Sequence, residues 1–106
     1  MRYVIKYVDG VTEEKIEKFI NTLQDSTKAK ILYGYELLMQ YGSRVGMPHS
    51  KNLGGGLYEL RIRGREEIRI FYTIKNNVIV LSAFKKKTKK TPNREIEMAT
   101  KLLHKI

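Results

Sequence analysis

The sequence predicts an α+β domain: a small antiparallel sheet of four strands with helices packed mainly on one face. Two neighbouring stretches carry the sheet. In residues 57–63 (LYELRIR), Tyr58, Leu60 and Ile62 alternate with Glu59, Arg61 and Arg63. In residues 68–74 (IRIFYTI), Ile68, Ile70, Tyr72 and Ile74 alternate with Arg69, Phe71 and Thr73. A period of two puts the aliphatic set on one side of each strand and the arginines on the other. Elsewhere the apolar spacing is mostly helical, which supplies the layer an oily sheet face requires. The opposite, cationic face is then expected to stay open for an anion.

In chain order, residues 2–8 (RYVIKYV) are rich in Tyr, Val and Ile and read as a first strand, broken by Asp9-Gly10. Thr12 is the expected N-cap of a helix from Glu13 to about Leu23, with Ile16, Phe19, Ile20 and Leu23 on its buried side. Ser26 is expected to cap a second helix, buried through Ile31, Leu32, Tyr35, Leu38 and Met39 and stopped by Gly42. Residues 42–56 hold five glycines and a proline without periodicity and read as a loop. Gly54-Gly55-Gly56 lacks the spacing, lysine and following helix of a phosphate-cradling loop, which disfavours a nucleotide triphosphatase. A tight turn at 64–67 and an Asn76-Asn77 turn join the two alternating strands to a last one, residues 78–84 (VIVLSAF), apolar on both faces. Thr91 as cap and Pro92 in the first turn open a final helix buried through Ile96, Ala99, Leu102, Leu103 and Ile106. No repeat or linker divides the chain, so residues 1–106 form one domain.

Composition narrows the chemistry. The absence of cysteine excludes disulfides and thiolate metal sites, and with only His49 and His104 a zinc or iron site is not expected. No cofactor is implied. The longest apolar runs are too short to span a bilayer and the start does not resemble a signal peptide, so a cytoplasmic protein without membrane contact is expected. The formal net charge is +10, and the stretch from Arg61 to Lys90, with ten basic residues against Glu66 and Glu67, holds +8 of it. A surplus concentrated beside strand-borne arginines points to a polyanion, nucleic acid above all.

The segments PHSKNLGGGLYELRIR, EIRIFYTI and SAFKKKTKKTPNREIEMA together resemble the RelE/HigB toxin superfamily, specifically its phage-derived HigB-like branch. Lys51, Leu53 and residues 56–61 match before the turn, Arg69 and Tyr72 in the middle strand, and Phe84, Lys86, Lys87, Thr88, Lys90, Thr91, Pro92, Glu95, Ile96 and Ala99 at the end. The resemblance implies a RelE/ParE-like fold and the toxin of a type II toxin–antitoxin pair. It further implies a ribosome-dependent mRNA endoribonuclease whose partners are mRNA, the ribosome and a cognate antitoxin, commonly a helix-turn-helix protein. One departure matters: many relatives carry a histidine where this chain has Ser82.

RNA is cut without a metal when its own 2′-hydroxyl attacks the adjacent phosphate. A protein must then remove that proton, stabilise the charge on phosphorus and protonate the leaving 5′-oxygen. Arginine suits the middle task because its planar, permanently charged fork grips phosphate through paired hydrogen bonds. Arg61 and Arg69 are the candidates. A lysine exchanges protons when like charges lower its pKa, which selects Lys86 and Lys87. Lys51, Arg63, Lys85, Lys89 and Lys90 are expected to bind RNA phosphates, and Phe71, on the arginine face, to stack on a base. His49 reads either as a general base or as an ordinary surface histidine, and Glu59 as an orienter of Arg61. Two rival functions share this pattern: a ParE-like gyrase-inhibiting toxin, against which the lysine block argues, and a non-catalytic RNA-binding module.

Overall fold

The computed structural model describes residues 2–106. In order they form β1 (Ile5–Tyr7), α1 (Gly10–Asn21), α2 (Asp25–Tyr41), a short 3-10 turn, β2 (Ser50–Gly54), β3 (Leu57–Ile62), β4 (Ile68–Lys75), β5 (Asn77–Lys85) and α3 (Asn93–Leu103). One sheet runs β1-β5-β4-β3-β2. All its pairings are antiparallel except β1 with β5, which is parallel. The α+β class and the β-α-α-β-β-β-α frame match the sequence reading. The sheet gains a fifth strand, β2, out of the segment read as loop.

β2 escaped the sequence because it is an edge strand. Lys51 and Asn52 are exposed, so no buried face imprints a period of two. Backbone pairing sets it on β3, Lys51 opposite Glu59 and Asn52 opposite Tyr58, with only Ser50, bonded to the Tyr72 hydroxyl, and Leu53 turned inward. Its turn into β3 uses Gly54, Gly55 and Gly56, all at positive φ, where a β-carbon would be strained. At the other end of the chain the first strand shrinks from seven expected residues to three. Tyr3 N–H donates to the Met39 carbonyl rather than to a strand.

The helix starts differ from expectation by one device each. Asp9, not Thr12, caps α1, its carboxylate accepting the Thr12 N–H at 2.7 Å. Ser26 caps nothing: α2 begins at Asp25. Glu66, from the distant β3–β4 turn, accepts from Gln24 N–H at 2.9 Å and from the Thr27 hydroxyl at 2.6 Å. A carboxylate there also meets the positive end of the helix dipole. Thr91 does not cap α3, which follows Pro92 directly with no side-chain cap.

α1 and α2 pack on the face formed by Leu60, Ile62, Ile68, Ile70, Tyr72, Val78 and Val80, contributing Ile16, Ile31 and Leu38, with Leu23 from the link between them. The buried line of α2 is Thr27, Ile31, Gly34 and Leu38, spaced four, three and four residues apart. Leu32, expected in that stripe, lies about 100° round the helix from Ile31 and is 70% exposed. α3 lies over one end of the other face, against Leu57, Phe71 and Leu81. Ile106, expected in its buried stripe, lies beyond the helix end and is exposed.

Between Phe71 and Tyr72 the β4–β5 register shifts. Phe71 faces Ser82 and Tyr72 faces Val80, leaving Leu81 as an extra residue. The bulge explains why residues 78–84 read as apolar on both faces: Val80 enters one core and Leu81 the other.

Candidate functional site

Directly paired residues on antiparallel strands project from the same face, so the register lays out the site in rows. Lys51, Glu59, Phe71 and Ser82 form one row, and Arg61, Arg69 and Phe84 the next. Beyond them Lys86 N–H donates to the Glu67 carbonyl at 2.7 Å, continuing the β4–β5 ladder by one pair. α3 covers the first row at Phe71. In the next row Arg69 is buried and Phe84 packs into the same cluster, while Arg61, and Lys86 beyond it, are partly exposed.

The two arginines, adjacent in register, differ in character. Arg61 is half-buried, and its Nη1 donates to the Met47 sulfur at 3.7 Å. Its backbone N–H is held by the His49 carbonyl at 2.8 Å, so the side chain is aimed by the loop ahead of β2. Arg69 is only 1% exposed. Its Nη1 donates to the Ile68 and Ile62 carbonyls at 2.9 and 3.4 Å, and its Nη2 pairs with Glu67 at 3.1 Å. The expectation of two solvent-facing guanidinium groups is therefore corrected. Arg69 ties the β3–β4 hairpin to itself, and its charge acts on the site from beneath.

Lys86 is where those charges converge. Burial lowers its pKa below the usual lysine value, and the positive fields of Arg69 and Arg61 lower it further, against Glu59 and Glu67. A lysine in this position exchanges protons nearer neutrality than a solvated one. Glu59, buried in β3, accepts the Thr91 hydroxyl at 2.6 Å. That bond ties residues 86–92 back over β3, which is the use Thr91 finds instead of capping α3.

The remaining predicted residues separate. Lys51 shares the face, opposite Glu59, and is exposed. Arg63, Lys87, Lys89 and Lys90 are exposed around the site's edge. Lys85 is not part of this face: it pairs with Ile68 of the helix-covered side and reaches Glu66 at 3.5 Å. Phe71 is fully buried, its ring 5.4 Å from that of Phe84 beneath α3, so it offers no surface to a base. Ser82 lies in Phe71's row with its Oγ buried and unpartnered. It borders a groove of about 590 Å³ between α1 and α3 that also contains Asp9, Lys15, Met98 and Lys105.

Sequence reasoning missed the carboxylates that organise this face. Glu66 anchors α2 and Glu67 holds Arg69, and the visible signal was that they are the only acids between Arg61 and Lys90. Among the described residues, no group of three or more His, Asp or Glu side chains is placed to hold a metal ion. No described helix is long and apolar enough to cross a membrane.

Comparison with known families adds one finding. The family of phage-derived Gp49-like proteins (DUF891) matches residues 18–104, from the last turn of α1 through α3. The chain belongs to that family. No curated protein matches it. The fold of this Gp49-like domain is compatible in general with small toxin domains of the RelE/ParE type. The family match takes in every residue of the Arg61–Lys86 face.

Proposed function

We propose that this Gp49-like protein is the toxin of a type II toxin–antitoxin pair, an endoribonuclease that cuts mRNA on the ribosome by 2′-hydroxyl attack. One observation carries the reading: Arg61 and a lysine of lowered pKa, Lys86, stand partly exposed on one side of the sheet beside the buried charge of Arg69. In this reading Arg61 grips the non-bridging oxygens of the scissile phosphate, where negative charge grows in the transition state. Lys86 hands its proton to the departing 5′-oxygen. The proton of the attacking 2′-hydroxyl passes to water, while the exposed Lys87 and Lys51 bind phosphates beside the cut. The products are a 2′,3′-cyclic phosphate and a 5′-hydroxyl end, and the step needs no further reagent. Lys89, Lys90 and Arg63 track flanking phosphates of mRNA or ribosomal RNA. A cognate antitoxin, encoded nearby as a helix-turn-helix protein, silences the activity in this proposal, and the setting is the cytoplasm.

The test is cleavage of a translated message by purified protein with ribosomes, with product ends mapped. Cuts with 5′-hydroxyl ends, abolished by Lys86→Gln and reduced at least about 100-fold by Arg61→Ala, support the proposal. Both side chains are at least partly exposed, and both variants are expected to keep the wild-type circular dichroism spectrum and melt within about 0.5 kcal/mol of it. Intact message under conditions where the protein binds ribosomes would leave a non-catalytic RNA binder. Inhibition of gyrase with intact message would instead support the ParE-like reading.

A further inference from the structure

Beside Arg61 the sheet leaves a gap. β2 begins at Ser50, opposite Leu60, so the last residues of β3 have no strand on their outer side. A cavity of about 210 Å³ occupies the space between that edge and α2. Its floor is aliphatic, Leu60 and Ile62, and Gly34 of α2 keeps it open. A β-carbon at Gly34 would sit 3.1 Å from a Leu60 methyl and 3.2 Å from one of Ile62. The wall is aromatic: Tyr33 and His49 meet edge to face, ring centroids 6.0 Å apart and planes at 73°. Around it stand Lys30, Arg61 and Arg63, and among the described residues no carboxylate lines the cavity.

Neither core packing nor the phosphate chemistry uses Tyr33 or His49. Tyr33 is 58% exposed although it is a large aromatic on a helix that buries its other side. The volume lies below the roughly 300 Å³ at which pockets for drug-sized ligands begin, which limits an occupant to about one ring system. An apolar floor, an aromatic wall and three cations without an acid suit a flat, neutral ring attached to an anionic backbone. Arg61 lines the cavity and also reaches the Lys86 site, so one guanidinium joins the two.

We propose that the cavity between α2 and β3 is a nucleobase subsite, in which Tyr33 and His49 hold the base of the nucleotide next to the phosphate bound by Arg61. This rests on the reading of the face as an RNA site, not on cleavage. It returns to Tyr33 the stacking role that the sequence suggested for Phe71.

The test measures binding apart from catalysis. Two short single-stranded RNAs with 2′-O-methyl riboses, which cannot be cut, are compared: one with all its bases, one abasic at a single nucleotide moved stepwise along the strand. Wild-type protein should lose roughly 5- to 150-fold in affinity when the abasic nucleotide reaches the subsite. Tyr33→Ala should abolish that loss, Tyr33→Phe should keep it, and the dependence of binding on salt should stay as in wild type because no phosphate contact is removed. Equal affinity for intact and abasic RNA at every position overturns the proposal, as does a preference that survives Tyr33→Ala. A base preference that Tyr33→Ala removes, in a protein that leaves ribosome-bound message intact, would uphold the subsite and sink only the nuclease.

Discussion

Phe71 offers the sharpest separation between a binding face and a core. It sits on the same side of the sheet as Arg61 and Arg69, yet it is fully buried, packed with Phe84, Leu57, Leu81 and Leu103. Replacing it by alanine removes most of a side chain that buries about 150–250 Å². At about 25 cal/mol per Å² the complete ring would represent roughly 4–6 kcal/mol, and truncations of buried phenylalanine cost about 3–5 kcal/mol once the residual cavity is counted. For a domain near one hundred residues, about 4 °C per kcal/mol converts this to a melting point lower by roughly 12–20 °C. Phe71→Leu should lose less, about 1–1.5 kcal/mol. Urea unfolding followed by circular dichroism measures both, and RNA affinity is measured at a temperature where each variant remains folded. There the affinity should stay within about twofold of wild type, since no RNA contact is removed. A Phe71→Ala protein destabilised by less than about 1 kcal/mol that loses RNA affinity would refute this placement of α3 and restore Phe71 to the binding surface.

Two pH effects follow from groups whose pKa values the fold lowers, one a cation and one an anion. The folded pKa of Lys86 lies below its ordinary value of 10.5. The unfolded chain thus binds more protons between those two values, and Lys86's contribution to stability rises with pH across that window. Lys86→Gln should remove that rise and be at least as stable as wild type at neutral pH while cutting no RNA, as paired melting curves and cleavage assays would show. Glu66 shifts in the same direction, but in the acid range and with its charged form favoured by the fold. Hydrogen bonds from Thr27 and the Gln24 N–H hold its carboxyl below 4.5. Its support of α2 is complete above that value and disappears as pH falls through the lowered folded pKa. Glu66→Gln should lower the melting point at pH 7 and flatten its decline in acid, and an acid profile identical to wild type would show that the carboxylate does not hold the helix.

Much of the architecture was legible because burial imposes a period. β3 and β4 alternate in residue type, and α1 and α3 carry helical stripes, so the existence of these elements and the side that meets α1 and α2 follow from side-chain spacing; that β4 is buried on both sides does not. β2 was not legible, since an edge strand that turns only Ser50 and Leu53 inward, three residues apart, leaves no alternating mark. Leu32 looked buried because helical spacing defines a stripe only to within one residue on either flank, and Gly34 rather than Leu32 faces the sheet.

For the site, the convergence of Arg61, Arg69 and Lys86 was visible as strand alternation followed by a lysine block. Their division of labour was not. Whether a guanidinium faces water or its own hairpin's carbonyls depends on where Glu67 and the Ile62 and Ile68 backbone sit, and those positions belong to a turn. Tyr33 and His49 are sixteen residues apart and come together only because α2 lies along the edge that β2 fails to cover.

The sequence by itself determined an α+β domain with one aliphatic and one cationic sheet face, because side-chain periodicity and charge are local properties of the chain. Only the tertiary structure decided which cations remain usable. That depends on where α3 ends, on the bulge at Leu81 and on the carboxylates brought from distant turns, since exposure and pairing arise between segments and are written in none of them alone.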